Sequence, residues 1–358
     1  MNPASEGENQ GSALSSMDAV AAMAGVATST VSRALKGDPR ISRATRERIC
    51  EIAARLGYRP NPLVSALMAQ LRHGHPPAAR CNLAWLDFFP NPDDWRGDPV
   101  HQAFYAGACM RANTVGYAIS RIHAAGRPAP RLARTLVNRG IRGILLPAFD
   151  ESAGLATNIP LPLEEFTVVG VGTRFERPSL HYSSDDQYEC GRLAVQRLWE
   201  LGYRRIGYLG EPRVEKIVNG RFYAGYFATL QSELGGTAIP ALLTSNDDDV
   251  VKWLRRVRAD AIVTANRRVL TVLRRHGLRT PDEIGLAHLN IDDVEGAGPG
   301  KVAGVRQDNA GVGANAVELL VTLLYHNESG VPVHPRGVQV HGTWVHGNTV
   351  RRVESPTA

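Results

Sequence analysis

From Met17 to Leu56 the apolar residues recur at helical spacing in three short runs. Val20, Ala21 and Ala24 share one face, Gly25 breaks the period, and Val31, Ala34 and Leu35 resume it; Ile49, Ile52, Ala53 and Leu56 then fall at i, i+3, i+4 and i+7. The pattern predicts a helix, a tight turn and a second helix, followed by a third helix over 42–56 that Ser42 can cap and Gly57 can end. Farther on, Asn61-Pro62 is a helix-start signal ahead of Leu63, Val64, Leu67, Met68 and Leu71. That helix is unusually apolar and, at about ten residues, too short to be stable alone in water.

From residue 81 the pattern changes to apolar runs alternating with amphipathic helices. Strands are predicted at 83–86, 117–122, 143–146, 167–171, 206–209, 261–264, 284–287 and 302–305. Between them lie helices such as 186–201, opened by an Asp186/Glu189 capping box and closed by Gly202, and 247–257, whose Asp247, Asp248 and Asp249 suit a helix N-terminus. Such alternation means parallel sheets with helices on both faces. No internal repeat of roughly 20 to 50 residues appears.

Composition narrows the class. The 358 residues are 43% apolar and 21% charged, ordinary for a soluble protein of two or three domains. No apolar run approaches the roughly 18 to 20 residues that span a bilayer, and Met1 to Ser15 is polar, acidic and Gly/Ser-rich, so a disordered leader and a cytoplasmic protein are expected. Cys50, Cys81, Cys109 and Cys190 lie far apart and read as buried free thiols, with no metal or cofactor implied. Residues 17–80 hold ten Lys/Arg against four Asp/Glu, so almost the whole net charge of +6 sits on the first domain. That surplus fits a polyanionic partner. Arg43, Arg46 and Arg48 on the third helix read equally as phosphate contacts or as a solvated face.

Between the apolar positions of the second helix stand Thr28, Ser29, Thr30, Ser32 and Arg33, short hydroxyls and a guanidinium able to read base edges and phosphates. The run 19–37, then Ile41-Ser42 with Thr45-Arg46-Glu47-Arg48-Ile49, then Leu56-Gly57-Tyr58-Arg59-Pro60-Asn61, resembles the headpiece of LacI-family transcriptional regulators over some fifty residues. The resemblance implies that the second helix lies in the major groove of operator DNA. It further implies that the helix after the Tyr-x-Pro-Asn segment is a hinge pairing with its dimer mate, with Leu67 wedged into the minor groove and Val64 beside it. Tyr58 and Asn61 join the DNA-binding set by the same likeness. Ala27 stands where the family usually has Ser or Thr, and the loss of a cap hydroxyl there costs about 0.5 to 2 kcal/mol, with Thr28 as the alternative cap.

Beyond the linker, Asp186-Gln187 ahead of Gly191, Leu201 to Ile206, Arg221 with Gly225-Tyr226, Asp260-Ala261-Ile262 with Asn266, Pro281 to Ile284 and Val305-Arg306-Gln307 are similar to the family's effector-binding domain. The implied fold is an all-α helix-turn-helix headpiece plus an α/β effector domain of two Rossmann-like lobes, periplasmic-binding-protein-like, joined by three crossings. The expected division is a leader over 1–15, a headpiece over 16–60, a hinge helix over 61–72 and a linker over 73–80. The effector domain follows over 81–358, with one lobe at about 81–203 and 307–335 and the other at about 204–306 and 336–354.

Effector contacts are expected from Arg221, Asn266 and Asn290 by that likeness, and from Asp87 and Phe88 at the end of the first strand. Asn290 stands where sugar-binding members carry Asp; an amide both donates and accepts, so the ligand is a sugar or another small polar metabolite. The acidic, aromatic insert Pro90 to Val100 reads either as a lid or as a surface loop. Gly311-x-Gly313-x-x-Ala316 formally fits a dinucleotide fingerprint but lacks the strand-to-turn register and the later acid, and no GxSxG or HExxH occurs, so no enzyme is expected. The reading is a homodimeric transcriptional regulator of the repressor type, binding double-stranded operator DNA and a small-molecule effector, away from membranes. The alternatives are a periplasmic-type solute-binding protein and a nucleotide-dependent oxidoreductase.

Overall fold

The structure is a computed structural model. It describes residues 17–35, 40–56, 58, 81–147, 159, 161–175, 177–295 and 300–353, without the side chains of Asp18, Ser32 and Cys81. The chain divides into two compact units, one N-terminal and one beginning at Arg80.

The N-terminal unit is built from α1 (Met17–Ala24), α2 (Thr28–Leu35) and α3 (Arg43–Arg55). Gly25 ends α1 because it alone tolerates φ +63°, and the Val26 N–H then donates back to the Ala21 carbonyl at 3.1 Å, closing the turn. Ser42 caps α3, its hydroxyl accepting from the Thr45 N–H at 3.2 Å. Val20, Ala21, Ala24, Val31, Ala34, Ile49, Ile52 and Ala53 form the core, so the three periodic stripes meet as expected. Arg48 spends its guanidinium on the α1 C-terminus, donating to the Ala24 carbonyl at 2.9 Å; Arg46 donates to the Ile41 carbonyl and Arg43 pairs with Glu47. Gly57, Asn61, Val64, Leu67 and the hinge and linker expectations lie outside the described residues.

The second unit holds two six-stranded sheets. The first runs through β1 (Cys81–Asp87), α4 (Pro99–Thr114), β2 (Tyr117–His123), α5 (Ala129–Asn138), β3 (Gly143–Pro147), β4 (Thr167–Val171) and β5 (His181–Asp185). The chain then crosses to α6 (Gln187–Glu200), β6 (Ile206–Gly210), α7 (Pro212–Ile217), α8 (Arg221–Ala228), β7 (Leu242–Leu243), α9 (Asp247–Val257), β8 (Ala261–Thr264), α10 (Val269–Arg275), β9 (Gly285–His288) and β10 (Ala303–Arg306). It returns with α11 (Asn309–Tyr325) and β11 (Gly337–Val340) to the first lobe, and ends with β12 (Thr343–Val345) in the second. The strand orders are β11-β5-β4-β3-β1-β2 and β12-β10-β9-β8-β6-β7. All pairings among the described residues are parallel except β10 with β12. No described helix is long and apolar enough to cross a membrane.

Two lobe boundaries differ from expectation. The first crossing falls at Asp185–Asp186 rather than near 203, because α6 buries Cys190, Ala194, Val195 and Leu198 in one core with Tyr203, Ile206, Ala261 and Val305. The last falls after Val340 rather than at 335, because β11 pairs with β5 as an edge strand. β5 itself reads His-Tyr-Ser-Ser-Asp and shows no apolar alternation. It is nonetheless largely buried, and the Ser183 hydroxyl donates to the Val312 carbonyl at 2.9 Å.

Glycine sets the closest helix contacts. A Cβ on Gly313 would stand 1.9 Å from the Phe104 carbonyl oxygen and one on Gly107 1.9 Å from that of Ala310, so α11 and α4 touch backbone to backbone. This is the structural role of the formal dinucleotide glycine. The thiols correct another expectation. Cys50 is exposed and Cys109 half-buried, with only Cys190 fully buried among the three described; all three are free.

Candidate functional site

On α2 the helix starts at Thr28, and the Ala27 carbonyl accepts from the Thr30 and Val31 amides. Thr28 therefore does not take over the cap. It stands exposed at the first helical position, beside exposed Ser29 and Arg33, which lie four residues apart on one face. Thr30 is half-buried, Tyr58 packs partly buried against the headpiece core, and the side chain of Ser32 is not described. The core side chains Val31 and Ala34 hold this helix by its inner face and leave Thr28, Ser29 and Arg33 to the outside.

In the second unit a cavity of about 250 Å³ opens between the lobes. Much of its wall comes from residues at or just past strand ends. Phe88, Phe89 and Pro90 follow β1, Pro147 and Asp185 end β3 and β5, and Gly172 follows β4. From the other lobe, Ala265 follows β8, Asn290 follows β9 and Gln307 follows β10. Open parallel sheets present their ligand crevice at these carboxyl ends. The rest of the wall includes Phe104 from α4, Arg213, Val214 and Ile217 from α7, and Val218 and Phe222. Gly172, at φ +83°, keeps the wall open to a ring: a Cβ there would lie 2.6 Å from Phe104.

The polar groups at this wall are unevenly satisfied. Gln307 is buried and donates from Nε2 to the Leu289 carbonyl at 3.0 Å. Asp98 caps α4 and pairs with His101 Nδ1 at 2.9 Å. Burial pushes its pKa up, but the bond and charge of His101 outweigh this and hold it at about 2. Asp293 pairs with Arg267 Nε at 3.0 Å, yet burial carries it to about 7 against that guanidinium. Asp185 is raised by burial to about 7 as well. Its Oδ1 accepts a long 3.3 Å bond from Gln187 Nε2, and its Oδ2 has no hydrogen-bond partner among the described residues. Asn290 Oδ1 is likewise buried and unpartnered among them.

His288 positions Asn290. It is fully buried, with its pKa lowered by burial to about 4, so the imidazole is neutral. Its Nδ1 lies 2.6 Å from the Asn290 carbonyl oxygen and 3.1 Å from the Asn290 N–H, and its Nε2 lies 3.2 Å from the Asn266 carbonyl oxygen, tying the ends of β8 and β9 together.

Of the effector residues expected from sequence, Phe88 and Asn290 stand at the cavity and three do not. Asp87 is buried under β1 in contact with Arg121 Nε at 2.7 Å and His123 Nδ1 at 2.9 Å. Arg121 in turn stacks over Trp95 at 4.5 Å, so Asp87 anchors the insert from beneath instead of facing the cleft. Arg221 lies over the Tyr182 ring at 5.8 Å. Asn266 turns its side chain to the start of α10, Oδ1 accepting from the Arg268 N–H at 2.9 Å, and its neighbour Ala265 lines the cavity. The insert does reach the cleft at both ends, through Pro90, Asp98 and Val100. Asp185 and Gln307 escaped the sequence reading, although the strand-end rule would have found both once β5 was known.

Two family profiles match the chain, "Bacterial regulatory proteins, lacI family" over residues 16–61 and "Periplasmic binding protein-like domain" over residues 195–350. Similar curated proteins include the HTH-type transcriptional regulator CelR of Thermobifida fusca, 27% identical over 85% of this chain and 90% of its own. The HTH-type transcriptional repressor CytR of Escherichia coli is 25% identical over 85% and 88%. Among solved structures, a CelR–cellobiose complex superposes with a TM-score of 0.59 at 23% identity, covering 93% of this chain and 99% of that one. The lac repressor dimer bound to operator and the anti-inducer ONPF gives 0.57 at 18% identity, covering 94% and 99%. With a helix-turn-helix unit at one end and a two-lobed effector domain after it, the chain belongs to the LacI family of DNA-binding transcriptional regulators controlled by small-molecule effectors.

Proposed function

We propose that the protein is a cytoplasmic, homodimeric, non-catalytic repressor whose effector binds in the interlobe cavity and alters the grip of two headpieces on a pseudo-palindromic operator. The observation that carries the effector site is the cavity at the carboxyl ends of both sheets, walled by residues of both lobes and holding two buried acceptors without donors among the described residues. A ligand there touches both lobes at once, and so has different affinities for arrangements in which the lobes differ. Such a difference, typically about 1 to 3 kcal/mol, is what shifts DNA affinity.

Ser29, Arg33 and Thr28 are the base and phosphate readers in this proposal, supported by their shared exposure on α2. The segment 61–72 is the hinge, with Leu67 and Val64 as the minor-groove wedge, supported by its apolar composition after the Asn61-Pro62 start. The CelR structure is a complex with cellobiose and the lac repressor structure one with operator and anti-inducer, and both support the two-ligand scheme.

The test pairs a thermal-shift screen of sugars, nucleobases and small acids and amines with fluorescence anisotropy of labelled operator-length duplex. A responding compound should raise the unfolding midpoint and change duplex affinity, and Val100→Trp, which fills the cavity, should abolish both effects. A response that survives Val100→Trp refutes the cavity as the effector site. Leu67→Ala should weaken duplex binding while leaving the ligand-induced midpoint shift intact; unchanged duplex affinity refutes the hinge assignment.

A further inference from the structure

We infer that the interlobe cavity takes a compact organic cation, an ammonium group on an apolar body, with the ammonium seated between Asp185 and Asn290. The inference rests on the cavity being the effector site, and it names the chemistry of the occupant.

The unmet groups at the wall are both acceptors. Asp185 is 5% exposed and Asn290 8%, and neither Asp185 Oδ2 nor Asn290 Oδ1 has a donor among the described residues. A buried acceptor without a donor is costly, so a ligand that brings donors gains from both. Hydroxyl and ammonium differ here. A hydroxyl brings one proton and lone pairs that themselves need donors, whereas an ammonium brings three donors and no acceptor. Three donors of the wall are engaged, Gln307 Nε2 with the Leu289 carbonyl, His101 with Asp98 and Arg267 with Asp293, while the Asn290 amide offers a donor beside its unpartnered Oδ1. The group that fits is the one that asks for none of them.

Charge points the same way. Three carboxylates line the cavity, Asp98, Asp185 and Asp293. Asp98 and Asp293 already pair with His101 and Arg267 at 2.9 and 3.0 Å, whereas Asp185 has no ion pair among the described residues, only the Gln187 amide at 3.3 Å, a backbone hydrogen bond and the longer-range charge of Arg221. An anionic ligand would meet in Asp185 a carboxylate that no ion pair neutralises; a cation supplies that pair. The remaining cation of the wall, Arg213, is on the exposed side of α7.

The apolar wall sets the rest of the molecule. Phe88, Phe104, Val218 and Phe222 are all buried and close on the same space. Aromatic rings beside an ammonium add attraction to its charge and bury its hydrocarbon. At about 250 Å³ the space is smaller than the roughly 300 Å³ at which drug-sized pockets begin, which suits one ring or a short chain.

The experiment is isothermal titration of the full-length chain with 2-phenylethylamine, 2-phenylethanol and phenylacetate, which share a ring and differ in the head group, and with cellobiose as a polyol. The amine should bind about tenfold or more tighter than the alcohol, and phenylacetate should not bind. Asp185→Asn should weaken the amine by about tenfold or more and leave the alcohol unchanged, which a mere packing role would not do. Equal binding of amine and alcohol, an amine affinity indifferent to Asp185→Asn, or no binding of the amine overturns the inference. Binding of cellobiose or phenylacetate that Val100→Trp abolishes overturns the cation and keeps the cavity as the effector site. Binding that survives Val100→Trp overturns both.

Discussion

Replacing Asp185 by Asn removes a buried charge while keeping the shape of the side chain, and the structure sets both the sign and the size of the effect. Burial raises the pKa from 3.8 to about 7, with Asp186 adding repulsion and Gln187 and Arg221 opposing it. The folded state therefore binds this proton more tightly than the unfolded chain. The stability that results is fully present below pH 3.8 and is lost as pH rises through 7. At about 1.4 kcal/mol per unit, the whole window is worth roughly 4 kcal/mol, and the part between pH 5 and pH 7 roughly 3 kcal/mol. The amide that replaces the carboxyl does not titrate. The stability of Asp185→Asn minus that of the natural chain should thus grow by about 3 kcal/mol from pH 5 to pH 8 and then level off. Asp293 and His288 also titrate in or near this range, but they are common to both chains and cancel in the difference. The assay is urea unfolding followed by tryptophan fluorescence, which reads the effector domain alone because all five tryptophans lie beyond residue 80. A difference that does not change with pH would refute the claim that Asp185 is an ionisable group held out of water.

Three further outcomes separate the parts of the molecule. Ile49→Ala, at a fully buried position of a small core, should cost about 2 to 5 kcal/mol and abolish duplex binding while leaving the tryptophan-monitored transition in place; a shift of that transition would contradict the independence of the headpiece core. Gly313→Ala puts a methyl 1.9 Å from the Phe104 carbonyl and should lower effector-domain stability by about 1 to 3 kcal/mol in the same urea assay, whereas a neutral result would contradict the backbone contact of α11 with α4. Arg33→Ala should reduce discrimination between operator and mismatched duplex by about 1 to 3 kcal/mol per half-site in competition anisotropy, and a uniform loss over all sequences would make Arg33 a phosphate contact instead.

The sequence by itself determined what depends on local period and local backbone. Val20, Val31 and Ile49 announce their burial by helical spacing, and Gly25 and Ser42 announce a turn and a cap, because the chemistry of each acts within a few residues. Strands β4 and β8 and helix α9 fall where their patterns put them for the same reason. The membership of the cavity is different in kind. Asp87 and Asp185 are both acids at the ends of strands, yet Arg121 and His123 on the neighbouring strand β2 claim the first, and the second is left facing the other lobe. Arg221 and Asn266 are drawn away by Tyr182 and by the start of α10. Strand β5 hides from periodicity because its buried face is polar, with the Ser183 hydroxyl satisfied by a helix carbonyl 129 residues farther on. Where two lobes meet, the environment of a side chain is made by residues remote in sequence. Tertiary structure alone decides which polar groups are paired and which are left for a ligand.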